Sequence, residues 1–101
     1  MELNKETILE TLRNVKPTLA SQFNIEKLGL FGSFATGKAT EQSDIDIVYE
    51  LKEGSHLGLE DLIAFEKYLQ KCLKFSKLDV VNYKYMNPVV KYFSKDSIVY
   101  A

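Results

Sequence analysis

Three aspartates and one Gly-Ser pair are the residues of this chain whose types and spacing can do chemistry. Asp44 and Asp46 stand two apart in DIDIVYEL, a stretch that alternates and is rich in β-branched residues, as a strand does. Two apart on a strand means one face, so both carboxylates project together while Ile45 and Ile47 project into a core. Like charges this close raise each other's pKa unless something neutralises them. Such hard oxygen donors suit Mg²⁺, which takes one or two carboxylates and completes its shell with water and substrate phosphate. Asp79 interrupts an apolar run, LDVVNY, at the start of another strand, where aspartate is unfavourable. If that strand pairs beside the first, three acids meet on one face. They could then hold two metal ions, one activating a hydroxyl and the other steadying a nucleoside triphosphate.

Gly32 and Ser33 directly follow the apolar run IEKLGLF. A strand ending in Gly-Ser and then one helical turn presents unpaired backbone N–H groups and a hydroxyl, a small cradle for phosphate oxygens. Gly32 would let the backbone approach closely, having no Cβ, and Gly37 would end the turn in a left-handed conformation. Each signal alone has a plainer reading. Gly-Ser is also an ordinary turn, Asp-x-Asp a solvated strand face, and Asp79 a strand-end residue at the surface.

The elements that must position these residues follow from periodicity. Ile8, Leu9, Leu12, Val15 and Leu19 recur at helical spacing between Asn4, a plausible N-cap, and about Asn24. Pro17 predicts a kink or restart there, since it removes a donor and crowds the carbonyl four residues back. Ile25 to Phe31 reads as a strand, GSFATGKATEQS as loop with a helical turn, and Asp44 to Leu51 as the second strand. After a turn at Glu53-Gly54-Ser55, Leu59, Leu62, Ile63, Phe65, Leu69, Cys72 and Leu73 mark a helix of about four turns. Leu78 to Tyr83 is a third strand. Asn87-Pro88 starts a last helix with Val89, Val90 and Phe93 as its apolar face, and Ile98-Val99-Tyr100 reads as an edge strand. The order implies an α/β (α+β) fold with a small mixed sheet and flanking helices, one domain over residues 1–101.

Composition narrows the function classes. With 101 residues, 46% hydrophobic and 27% charged, the chain has globular composition and room for one core. Thirteen basic against fourteen acidic residues argue against strong nucleic-acid binding by this chain alone. The single cysteine, Cys72, excludes a disulfide framework or cysteine-based zinc site. Without an apolar run long enough for a signal or a membrane span, the expected address is the cytoplasm, with no membrane role.

Taken together, Gly32-Ser33, ten intervening residues, Asp44-x-Asp46 and a later strand aspartate resemble the DNA polymerase β-like nucleotidyltransferase superfamily. More closely, the arrangement is similar to the minimal nucleotidyltransferase (MNT) family, the small partner in HEPN–MNT toxin–antitoxin pairs, whose spacer is also ten residues. The resemblance covers nearly the whole chain, and its specific part runs from Leu28 to Val48. It implies the polymerase β-like fold, with Gly32 and Ser33 gripping the triphosphate of ATP. It implies further that Asp44 and Asp46 bind two catalytic Mg²⁺ ions, and that Asp79 completes the site as metal ligand and base. The implied reaction transfers AMP to a hydroxyl, a tyrosine of a HEPN-type helical toxin, in a hetero-oligomer where this chain acts as antitoxin. One departure stands out. Many relatives carry Gly-Ser-x-Ala-Arg-Gly, where this chain has Thr36 (GSFATG), which cannot steady phosphate as arginine does. Lys38 is either a substitute nucleotide-binding cation or a solvated loop lysine.

Two other functions remain open at this level. One is a non-catalytic antitoxin that neutralises its partner by occlusion, with a vestigial or regulatory nucleotide site. The other is a subunit that modifies a small molecule or RNA. The lone His56 reads as a surface or capping residue, and Cys72 as a buried thiol. Lys67, Lys71, Lys74 and Lys77 complement a helix end. Tyr83, Tyr85, Tyr92 and Tyr100 read mainly as core or sheet residues with their hydroxyls at the surface, partner docking being the minor alternative.

Overall fold

The computed structural model describes residues 3–101. Helix α1 (Lys5–Phe23) opens on a reciprocal cap: the Asn4 side chain accepts from the Thr7 N–H at 2.9 Å, and Thr7 Oγ1 accepts from the Asn4 N–H at 3.0 Å. Its buried stripe is Ile8, Leu9, Leu12, Val15, Leu19 and Phe23, and Asn24 ends it in a left-handed conformation. The restart expected at Pro17 does not occur; α1 runs through it. Pro17 and Arg13 both lie on the exposed side, so the carbonyl deprived of its donor faces solvent, which can satisfy it.

Strand β1 (Ile25–Phe31) leads into the short helix α2 (Gly32–Thr36), then β2 (Ile45–Leu51), α3 (Leu59–Leu73) and β3 (Leu78–Asn82). A 3-10 turn (Tyr83–Tyr85), α4 (Pro88–Ser94) and β4 (Val99–Tyr100) complete the described elements. Three boundaries differ from the periodicity reading. Asp44 lies one residue before β2, Tyr83 belongs to the turn after β3, and Ile98 precedes β4.

The strands form one mixed sheet in the order β3-β2-β1-β4. β1 is antiparallel to β2 and β4, while α3 carries the chain across so that β3 lies parallel to β2. Gly29 lets the last strand close in: a Cβ there would sit 3.1 Å from both Ile98 Cγ2 and Tyr100 Cδ1.

Both long helices cover the same face. Ile45, Ile47 and Tyr49 point into a core with Leu28, Leu30, Leu12, Leu19, Phe65 and Leu69. At its centre the Phe65 ring lies 5.8 Å from Phe23 and 5.1 Å, edge-on, from Tyr49. The opposite face carries only a small cluster of Phe31, Val48 and Met86, with Val81, Tyr83 and Ile98 against it. That face is left open where β2 and β3 begin.

Candidate active site

The open face holds the acids. Strand register sets Asp46 directly beside Asp79 on parallel β2 and β3, and opposite Phe31 on β1. Neighbours in a parallel register point to one side of the sheet, about 4.8 Å apart along the hydrogen-bonding direction. Asp44 enters from the loop just before β2. That loop is shaped by Thr40, whose N–H donates to Ser43 Oγ at 2.8 Å, and it is tied by Lys77 Nζ donating to the Glu41 carbonyl at 3.4 Å.

The carboxylates feel one another. Burial first, then the charges of Asp79 and Asp44, push the Asp46 carboxyl up from an ordinary 3.8 to about 6. The single salt bridge among the described residues is Lys27–Glu50, so no side-chain cation neutralises this group. Such concentrated, hard oxygen donors fit a divalent cation, which needs only one or two carboxylates from the protein. The expectation that all three acids meet is met in part. Asp46 and Asp79 stand side by side and Asp44 is electrostatically coupled. Among the described residues, however, no three acidic, histidine or cysteine side chains are already drawn around one point. Asp44 and Asp79 are both exposed.

Gly32 is built into the same site. Its φ is +75°, and a Cβ there would fall on Asp46 Oδ2 and within 2.9 Å of its Cγ. The missing side chain is what lets the Asp46 carboxylate lie against the α2 backbone. α2 is held by Ala35, which is buried, and by Phe34, whose ring packs edge-on against Phe75 at 6.5 Å. The N–H groups of its first turn have no partners within the helix, and Ser33 is half-exposed beside them. Gly37 ends α2 at φ +77° as expected, its N–H bonded to the Ser33 carbonyl. Thr36 turns its hydroxyl back onto the Gly32 and Ser33 carbonyls at 3.3 and 3.4 Å. Lys38 follows the cap with an exposed side chain, its backbone N–H donating to Ser33 O at 2.9 Å.

Beside the acids runs a cleft of about 400 Å³ lined by Phe31, Asp79, Val81, Tyr85, Met86 and Val90, among others. Apart from Asp79, sequence reasoning missed this lining, although Asn87-Pro88 marked the helix beside it. A larger cleft of about 740 Å³ lies toward the far ends of β2 and β3, with His56, Asn82 and Lys84 on its walls and none of the three acids.

Several side readings change. Of the two readings of His56, surface or capping, the surface one holds: it is exposed, and the N-cap of α3 is Gly58, with no side-chain cap bond. Cys72 is a half-buried free thiol packed against the core. Tyr100 is a sheet residue of β4, as expected, whereas Tyr85 and Tyr92 are exposed and belong to neither core nor sheet; Tyr83 is half-buried.

Residues 13–99 match the protein-family model for "Polymerase beta, Nucleotidyltransferase". The chain is 35% identical over 94 residues to MJ1379 of Methanocaldococcus jannaschii, whose name assigns it to the protein adenylyltransferases, spanning 92% of this chain and 93% of that one. It is also 35% identical over 71 residues, 70% of each chain, to the protein adenylyltransferase MntA of Thermococcus cleftensis. Among solved structures, one described as a minimal nucleotidyltransferase superposes with a TM-score of 0.74 at 24% identity, covering 97% of this chain and 96% of that one. A toxin–antitoxin structure with AMP-PNP gives a TM-score of 0.58 at 25% identity over 87% of this chain and 64% of that one. Among the described residues, no helix is long and apolar enough to cross a membrane.

Proposed function

The chain belongs to the polymerase β nucleotidyltransferase family, and on that premise we propose that it transfers AMP from ATP to a hydroxyl of a partner protein. The relatives named for protein adenylylation support a protein acceptor over a small molecule. The structure with AMP-PNP, an ATP analogue, supports ATP as donor in a toxin–antitoxin setting. A tyrosine of a HEPN-type toxin is the acceptor we assign, with this chain as the antitoxin acting in the cytoplasm.

The observation that carries the reading is the register of Asp46 beside Asp79, with Gly32 backed against the Asp46 carboxylate. In this reading the first-turn N–H groups of α2 and the Ser33 hydroxyl bind the β and γ phosphates. Lys38 adds charge at the loop edge. Asp44, Asp46 and Asp79 hold two Mg²⁺ ions, which when bound supply positive charge to the triphosphate and the attacking oxygen. The acceptor oxygen attacks the α phosphorus in line, the bond from that phosphorus to the bridging oxygen breaks, and pyrophosphate leaves. Asp79 takes the proton of the hydroxyl. Catalysis is then mostly positioning and charge stabilisation, which a small rigid site can supply.

Incubation with Mg²⁺, the protein encoded next to this chain and ATP labelled at either phosphate end tests the proposal. Label at the α phosphate should enter the protein and label at the γ phosphate should not. Transfer of the γ label, or of neither, contradicts it. Thr36, which offers no positive charge and turns its hydroxyl inward, favours one rival: neutralisation by occlusion, with catalysis dispensable. In that case Asp44→Asn with Asp46→Asn would protect cells as well as the native chain.

A further inference from the structure

Helix α4 buries none of its residues, although its sequence is apolar. Val89 and Phe93 on α4 are 64% and 78% exposed, and Tyr85 and Tyr92 are 76% and 65% exposed. An apolar surface this dense on so small a chain marks an interaction site. Three lysines lie over its rings. Lys84 lies over the Tyr85 ring at 5.6 Å, Lys91 over Tyr83 at 4.3 Å and Lys95 over Tyr92 at 4.9 Å. Among the described residues, no carboxylate forms an ion pair with any of the three. The surface is also continuous with the site, because Val90, Met86 and Asp79 line one cleft.

We propose that the Tyr85–α4 surface docks the acceptor protein through an apolar patch rimmed with Asp and Glu, and so sets the acceptor hydroxyl at the mouth of the cleft beside Asp79. The proposal rests on the protein-modifying reading above and adds to it the surface and the partner's chemistry. Three observations select this occupant. Unpaired lysines around an apolar centre are complementary to an acidic rim. A second copy seated on the same face by two-fold symmetry would set the lysines against one another. A nucleic acid would find rings to stack on here, but it would bring its phosphates up to the three carboxylates of a chain whose thirteen basic residues are outnumbered by fourteen acidic ones.

The test uses the full chain and whichever protein takes the α-phosphate label, with affinity measured by biolayer interferometry at rising salt. Val89→Asp with Phe93→Asp should weaken binding at least about 30-fold and cut label transfer in step. Both positions are exposed, so melting temperature and affinity for a fluorescent ATP analogue should stay at native values. Lys84→Glu, Lys91→Glu and Lys95→Glu together should weaken binding and remove its salt dependence. Asp44→Asn with Asp46→Asn should keep binding and lose transfer. Native affinity for the acceptor in the Val89→Asp, Phe93→Asp variant overturns the docking proposal and leaves the adenylylation reading standing. If no protein takes label, that reading fails and the docking proposal with it. If Val89→Asp with Phe93→Asp instead abolishes retention of a single-stranded RNA oligonucleotide, or turns a dimer of this chain into a monomer while acceptor binding persists, the occupant is different and the proposal is overturned.

Discussion

Two glycines with nearly the same backbone angle separate a conformational cost from a cost in chemistry. Gly32 and Gly37 flank α2 at φ +75° and +77°. Any side chain costs about 1–2 kcal/mol in such a left-handed conformation. For a domain of this length that should lower the melting temperature by roughly 5 to 15 °C. Around Gly37 a Cβ would meet nothing within 4 Å, so Gly37→Ala should show that loss alone and keep its transfer rate. At Gly32 a Cβ would fall on the Asp46 carboxylate, its Cγ only 2.9 Å away. An ordinary carbon contact is about 3.5 Å or more, so Asp46 must retreat by half an ångström or more, and its oxygen further. Misplacing a reacting group by about 1 Å can cost 100-fold. Gly32→Ala should therefore lose at least as much thermal stability as Gly37→Ala and, in addition, about 100-fold in rate. The assay is label transfer per folded molecule, with melting curves run in parallel. Equal activity in the two variants would refute the claim that the Gly32 backbone is fitted to Asp46.

Asp46, raised to about 6 by burial, Asp79 and Asp44, keeps its proton in the folded chain over a pH range where the unfolded chain, at 3.8, has lost it. The folded state binds the extra proton between these values, so this carboxyl removes stability as pH rises through about 4 to 6. Asp46→Asn should melt above the native chain at neutral pH, with the advantage fading toward pH 4; a constant difference across the range contradicts this. Mg²⁺ should raise the neutral-pH melting temperature of the native chain and leave that of Asp44→Asn with Asp46→Asn unchanged. Thr36→Arg should lower the KM for ATP by about tenfold, the worth of one charged hydrogen bond. An unchanged KM would show that this position does not reach the nucleotide. Phe65→Ala empties the centre of the core and should cost about 3–5 kcal/mol in urea denaturation, whereas a loss under 1 kcal/mol would mean that the core collapses to refill it.

What was legible in the sequence is what local pattern controls. The alternation of Ile45 and Ile47 placed β2 and its buried face, and Gly32 and Gly37 marked the two ends of α2. Asn4 and Asn87 marked helix starts because a capping side chain acts within three residues. The pairing of Asp46 with Asp79 was legible only as a condition, since it depends on α3 carrying β3 to the β2 edge. Periodicity also cannot say whether an apolar stripe has a layer to pack on. Val89 and Phe93 repeat as core residues do, but α1 and α3 both cover the other face, and α4 is left outside. The same holds for Tyr85 and Tyr92. Of the kink or restart expected at Pro17, the restart does not occur, because the carbonyl that Pro17 deprives of a donor faces solvent.

Intact mass of the acceptor protein, isolated from cells that co-express it with this chain, tests the central claim most directly. With the native chain the acceptor should carry added AMP on a tyrosine. With Asp44→Asn and Asp46→Asn it should co-purify unmodified. An acceptor that stays unmodified beside the native chain, or is modified equally beside the variant, would contradict the assignment of these carboxylates to AMP transfer.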